Sequence, residues 1–154
     1  MHTHFITRKA TPSDLPTLLL FEQEIIKAER PFDPTIRPDP VRYYDLEGML
    51  EDPQVEVQVA EADGKLVGVG YARVSESRHF LNHTQHAYLG FMYVVPAHRG
   101  TGVIQRILEV LKEWAFSRGL TELRLEVYSE NTNAIRAYEK AGFMPLMTEM
   151  RLRL

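Results

Sequence analysis

Residues 94–119 read VVPAHRGTGVIQRILEVLKEWAFSRG. The apolar pair Val94-Val95 stops at Pro96, and Arg99-Gly100-Thr101-Gly102 follows. Beyond the glycines, Ile104, Ile107, Leu108, Leu111, Trp114 and Ala115 recur at helical spacing, with Gln105, Arg106, Glu109, Lys112 and Glu113 on the opposite face. Gly119 suits a left-handed helix stop. The spacing predicts a strand, a tight glycine loop and a helix. A helix start exposes unpaired N–H groups at the positive end of its dipole. Glycines there let an anion reach the backbone, so a phosphate or pyrophosphate is the expected guest. A turn that merely ends a strand also uses glycines, and one Gly-x-Gly does not separate the two readings.

Spacing sets two nucleotide-binding patterns aside. A P-loop needs four residues between its glycines and then Lys and Ser or Thr, whereas Val103 follows Gly102. That same absence disfavours a phosphate hydrolase. A dinucleotide fingerprint needs a third glycine where Gln105 stands.

Outward from the loop, residues 5–9 read as a strand and Thr11-Pro12-x-Asp14 as a capped helix start. Leu15, Leu18, Leu19, Ile25 and Ile26 give that helix an apolar face. Pro31, Pro34, Pro38 and Pro40 end it, and a short second helix is expected over 41–51. Val55, Val57 and Val59 alternate with polar residues as in a half-buried strand, and Asp63-Gly64 predicts a hairpin to a strand over 65–74. Further strands are expected over 86–95, 120–128 and 146–154, with a helix over 131–141. The order is β-α-α-β-β-β-α-β-α-β. This is an α+β (mixed α/β) pattern rather than a doubly wound sheet.

The 154 residues carry a net charge of −3 and no cysteine. One domain over 1–154 is expected from the length. No global basic field points to nucleic acid or an anionic membrane. Disulfides and a cysteine nucleophile are excluded, and a reducing cytoplasm is the expected location. The start MHTHFITRK lacks the pattern of a signal peptide, and no apolar run is long enough for a bilayer.

Arg99, Gly100 and Gly102 match the acyl-CoA-binding motif of the GNAT acyltransferases. Asn131, Ala134, Tyr138, Gly142 and Phe143 match the family's second motif. Two motifs at the right separation, with a matching element order, make nearly the whole chain resemble this family. One position departs: the small residue expected after Val103 is Ile104, whose side chain is predicted to turn inward with Ile107 and Leu108. The resemblance implies a mostly antiparallel sheet of six to seven strands flanked by about four helices. It implies acetyl transfer from acetyl-CoA to an amine, with no metal.

In such a fold, backbone at Met92, Tyr93 and Val94 binds pantetheine. The stretch from Val94 through Arg99, Gly100, Thr101, Gly102, Val103 and Ile104 takes the pyrophosphate. An N–H within 91–93 polarises the thioester carbonyl. Tyr138 is implied as the acid for the departing thiolate, and Asn131 as the residue that steadies cofactor or helix. Some members place a basic glutamate where Tyr88 stands. The candidate bases here are Glu76 and His86, with a water relay as the alternative. His79, His83 and His86 are spaced too loosely to define a metal site. The segment between the first two helices is expected over the acceptor. There Glu29, Asp33 and Asp45 suit a cationic amine, and Phe32, Tyr43 and Tyr44, with Tyr88, suit pocket walls. A small-molecule amine is the leading acceptor. A protein lysine or N-terminus, a non-catalytic CoA sensor and a homodimer stay open.

Overall fold

The computed structural model describes residues 4–154. Strand β1 (Ile6–Lys9) leads through a short 3-10 turn, Pro12–Asp14, into helix α1 (Leu15–Glu29). Helix α2 (Leu46–Glu51) follows, then β2 (Val55–Ala62), β3 (Lys65–Glu76) and β4 (Gln85–Val94). Helix α3 (Val103–Ser117), β5 (Leu123–Leu125) and α4 (Thr132–Lys140) complete the order. The sheet runs β1-β2-β3-β4-β5, antiparallel except for the parallel pair β4 and β5.

The helices cover both sheet faces. On one, Val103, Ile107, Leu108, Leu111 and Ala115 of α3 pack on Ala60, Val67, Ala72, Ala87 and Leu89. The fit is close because β3 offers glycines: a Cβ on Gly70 would stand 2.8 Å from Ile107, and one on Gly68 2.7 Å from Val103. On the other face, Leu18, Phe21 and Ile25 of α1 and Leu46 of α2 pack on Val57, Val59, Val69, Tyr71 and Phe91. Burial of each such side chain stabilises by about 1.5–3 kcal/mol.

Local chemistry explains several boundaries. The Thr11 N–H donates to Asp14 Oδ2 at 2.8 Å, closing the expected capping box. Asp14 is also held by both terminal nitrogens of Arg8, at 2.8 and 2.9 Å, and this ion pair keeps its carboxyl below the ordinary range. Asp63 and Gly64 take φ of 51° and 76°, the left-handed pair of a two-residue hairpin.

Among the described residues the sheet has five strands, not six or seven. Residues 146–154 form no strand, because a strand requires a hydrogen-bonded neighbour and no backbone bond reaches them among the described residues. The fifth strand is confined to Leu123–Leu125, where β4 lies alongside. The second helix begins at Leu46 rather than near Val41, since Asp45 caps it by accepting from the Gly48 N–H at 3.2 Å. Gln105 is half-buried: its Nε2 donates to the Ala137 carbonyl at 3.1 Å and ties α3 to α4.

Candidate active site

The donor wall begins with an irregularity in β4. Val69 pairs with Tyr93 but Tyr71 pairs with Gly90, so β4 carries an extra residue there. Phe91 sits in this bulge with φ of 56°, unusual for a residue with a side chain. Its ring is 2% exposed and packs 4.9 Å from the ring of Tyr44. Strand β5 meets β4 only across Ala87, Tyr88 and Leu89. From Gly90 to Val94, β4 has no strand beside it on that side among the described residues. Unpaired backbone in a protein interior demands a partner. An extended, amide-bearing chain such as pantetheine meets that demand, at the Met92, Tyr93 and Val94 backbone expected from the sequence.

The slot opens onto the start of α3. Gly100 and Gly102 have φ of 74° and 92°, and a Cβ at either would meet nothing within 4 Å. These glycines serve backbone conformation rather than packing. Gly102 is the N-cap of α3, and no side chain caps the helix there. Thr101 turns back, its hydroxyl donating to the His98 carbonyl. Arg99 folds over the Tyr93 ring, 5.9 Å from its centroid, and its Nε donates to the Val94 carbonyl at 3.0 Å. Val103 is buried, and Ile104 packs inward against the core as its periodicity predicts. An exposed helix start with free N–H groups accepts a pyrophosphate.

The expected acceptor wall is built from side chains. Glu29 ends α1 half-buried, and its burial pushes its carboxyl up from the ordinary range. Its charge pushes up the hydroxyls of Tyr43, Tyr44, Tyr88, Tyr128 and Tyr138. Tyr138 is half-buried with Phe143 at its edge. Burial, then Glu29 and Tyr88, pushes its hydroxyl up to about 12. Burial also pushes Tyr88 up to about 12, and Arg73 lies 4.9 Å over its ring. Phe32 stacks on Tyr128 at 5.9 Å. Tyr44 supports the wall from behind, with its ring against Tyr43, Tyr71 and Phe91.

Glu22 was not among the residues singled out in the sequence, yet it holds this wall in place. It is 0% exposed. Its carboxylate accepts from Arg42 Nε at 2.7 Å, from the Tyr43 N–H at 2.9 Å and from the Tyr44 N–H at 2.8 Å. The signal was present: a carboxylate four residues after Leu18, on the face that carries Ile25 and Ile26.

Other expected residues stand elsewhere or already have partners. Asp33 accepts from Thr35 and from Arg151 at 2.9 Å, and these bonds hold its carboxyl down at about 2. Asp45 is spent on capping α2. Asn131 caps α4, its Oδ1 accepting from the Ala134 N–H at 3.4 Å. Glu76 bonds Gln85 at 2.8 Å, and His86 Nδ1 lies 2.8 Å from the Ser77 hydroxyl, both at the far end of the β3–β4 hairpin. His83 joins His86 there beside Glu122, while His79 meets Phe80 edge to face. Burial and the nearby Arg124 push the His86 imidazole below its ordinary value.

A bulged, splayed strand before a glycine-started helix, inside a mixed α+β layer fold, defines the class as an acyl-CoA transferase. The acetyltransferase (GNAT) family model matches residues 22–143. An aminoglycoside N(6′)-acetyltransferase type 1 of Salmonella typhimurium is 26% identical over 109 residues, 69% of this chain and 74% of that protein. A streptothricin acetyltransferase of Escherichia coli is 40% identical over 57 residues, which span 37% of this chain and 33% of that protein. A predicted acetyltransferase of Clostridium acetobutylicum, crystallised with acetyl-CoA, matches with a TM-score of 0.76 at 18% identity, over 97% of this chain and 96% of that one. The chain belongs to the acetyltransferase (GNAT) family. It is an N-acetyltransferase whose acyl donor is acetyl-CoA. Among the described residues, no helix is long and apolar enough to cross a membrane.

Proposed function

We propose that residues 1–154 act as one domain that acetylates a primary amine on a small molecule by direct attack on the thioester. The observation that carries this reading is the half-buried Glu29 carboxyl, set where its charge reaches Tyr43, Tyr88 and Tyr138 together. An alkylamine is mostly protonated at neutral pH. Glu29 attracts the ammonium and, as a base strengthened by burial, accepts its proton directly or through water. His86 and Glu76 lie at the hairpin end with Ser77 and Gln85, which favours Glu29 for this role. The names of the aminoglycoside and streptothricin relatives support a small-molecule acceptor. So does a wall of aromatic rings fixed by Glu22, which suits a compact guest better than an extended peptide.

The free amine attacks the carbonyl carbon, a C–N bond forms and the C–S bond breaks. Tyr138 donates a hydrogen bond to the departing sulfur. A hydroxyl near 12 stays protonated, yet full transfer to a thiolate of ordinary pKa near ~8.5 is uphill. Tyr138 therefore neutralises developing charge, and the proton released by the amine completes the thiol. Backbone at Met92–Val94 holds pantetheine, and the segment from Arg99 to Ile104 holds the pyrophosphate.

The test is thiol release from acetyl-CoA across a panel of aminoglycosides, streptothricin and simple diamines. A cysteine-free chain gives no background in that assay. Turnover of primary amines is expected, with kcat/KM for the acceptor rising as pH rises through the elevated Glu29 pKa. Glu29→Gln should lose that limb and lower kcat/KM by roughly a hundredfold. No turnover of any amine by a protein that binds acetyl-CoA would count for a sensor. An unchanged pH profile in the Gln variant would remove Glu29 as the base.

A further inference from the structure

Tyr88 stands in a row that crosses the sheet. Val55, Arg73, Tyr88 and Arg124 are successive register partners on β2, β3, β4 and β5. Residues directly opposite one another share a sheet face. Val55 and Tyr88 pack with the α1 and α2 cluster, so the row lies on the face covered by the helix that ends at Glu29.

The arginines around this row differ in how their charge is met. Arg124 donates from Nε to Glu122 at 2.6 Å, and His83 Nε2 lies 2.9 Å from the same carboxylate. Arg42 and Arg151 are paired with Glu22 and Asp33 at 2.7 and 2.9 Å. Arg73 is exposed, and among the described residues its guanidinium has neither a paired carboxylate nor a hydrogen-bond acceptor. Its contact is the Tyr88 ring, 4.9 Å away at the centroid. A cation–π contact steadies a guanidinium without using its N–H donors. Glu126, whose charge reaches Tyr71 and Tyr88, forms no ion pair with it. A guanidinium with a free fork binds a carboxylate through two parallel N–H groups. One arginine, with Glu126 near, suits the single charge of a carboxylate better than the near-double charge of a phosphate ester.

We propose that Arg73 is the specificity-determining residue of the acceptor site and binds a carboxylate on the acceptor, while Glu29 takes the amine. The acceptor is then one small molecule that carries both groups and lies across Tyr88, on which Arg73 and Glu29 act with opposite sign. A diamine would bring its second ammonium against Arg73, so the residue selects by repulsion as well as attraction. The part given to Glu29 rests on the amine acetylation proposed above; the part given to Arg73 rests on the row, the ring contact and the unmet charge.

The test compares ω-amino acids of graded length, and lysine and ornithine, with their primary amides. Thiol release from acetyl-CoA is followed at one pH, and kcat/KM is referred to the free-amine concentration. An acid of fitting length should exceed its amide by roughly ten- to a hundredfold, the scale of hydrogen bonds to a charged group. Arg73→Gln should bring that ratio to about one through the KM of the acid, and Arg73→Lys should restore part of it. Equal values for every acid and its amide in the parent overturn the proposal and leave amine acetylation standing. So does a ratio that survives Arg73→Gln, or a loss shared equally by acids and amides, which marks Arg73 as a support for the Tyr88 ring. Preference for O-phosphoethanolamine over every carboxylate overturns the choice of anion. If no amine is turned over, the acetylation reading fails on its own, and calorimetry of the same acids and amides on the CoA-bound protein decides the role of Arg73. Tighter binding of an acid, lost in Arg73→Gln, supports that role, and equal binding overturns it.

Discussion

The two walls of the cleft are made of different material. The donor wall is backbone: the unpaired edge of β4 and the open start of α3, with glycines at the turn. The proposed acceptor wall is side chain: Glu29, Tyr43, Tyr88, Tyr128 and Tyr138, from α1, the loop before α2, β4, the loop after β5, and α4. Backbone recognition asks only that nothing intrude, so a few glycines suffice. Side-chain recognition needs remote elements held in register, and here one buried carboxylate, Glu22, fixes the loop that carries Tyr43 and Tyr44. The comparison predicts that damage to each wall will show in a different constant.

The largest effect is expected at the donor wall. Gly102→Glu puts a carboxylate beside the pyrophosphate and a side chain on a left-handed residue. Like-charge contact costs several kcal/mol, so acetyl-CoA affinity should fall by about a thousandfold by calorimetry. Equal affinity in a folded variant would break the assignment of that wall. Next comes Tyr138→Phe, which keeps the ring and removes the hydroxyl. It should lower kcat by on the order of ten- to a hundredfold, with water replacing part of the lost hydrogen bond to sulfur, and leave acetyl-CoA affinity unchanged. A parent-like kcat would leave Tyr138 as packing alone.

Glu22→Ala sharpens the contrast. It orphans the Tyr43 and Tyr44 N–H groups, each at a cost of about 1–3 kcal/mol. Melting should fall by about 5–20 °C. The acceptor KM should rise while acetyl-CoA affinity in the folded fraction holds; a loss of both together would join the walls into one unit. The smallest effect concerns Asp33. Its folded pKa, at about 2, lies below its ordinary 3.8. Its contribution to stability is therefore complete above pH ~4 and is lost as pH falls toward ~2. In Asp33→Asn the drop in melting temperature across that window should shrink, and activity at neutral pH should change least of the four.

The same contrast explains what the sequence disclosed. Arg99-Gly100-Thr101-Gly102 and its helix are local, so spacing alone predicted the tight glycine turn and the helix start, and periodicity turned Ile104 inward. The layer order was legible because alternation in Val55–Ala62 and the Asp63-Gly64 turn are local too. The acceptor wall was legible only as a segment. Nothing near Glu22 in the sequence announces that its partners lie at Arg42, Tyr43 and Tyr44. The sequence shows Glu29 only as a charge suited to a cationic amine; its burial, on which the proposed role as base rests, depends on packing. The strand expected over 146–154 failed for a related reason. Alternation reports what a segment is suited to pair with, not whether its own protomer supplies the neighbour.

Phe91 carries a lesson for engineering. A non-glycine residue held at φ of 56° costs about 1–3 kcal/mol, so glycine would relax the chain there. Yet the same residue fills the core under Tyr44, and deleting a buried phenylalanine side chain costs about 3–5 kcal/mol. Attempts to raise thermal tolerance at this position will therefore lose more through the void than they gain from the relaxed backbone. A library that varies residue 91 should return large aromatic survivors, with the bend that opens the slot retained in each of them.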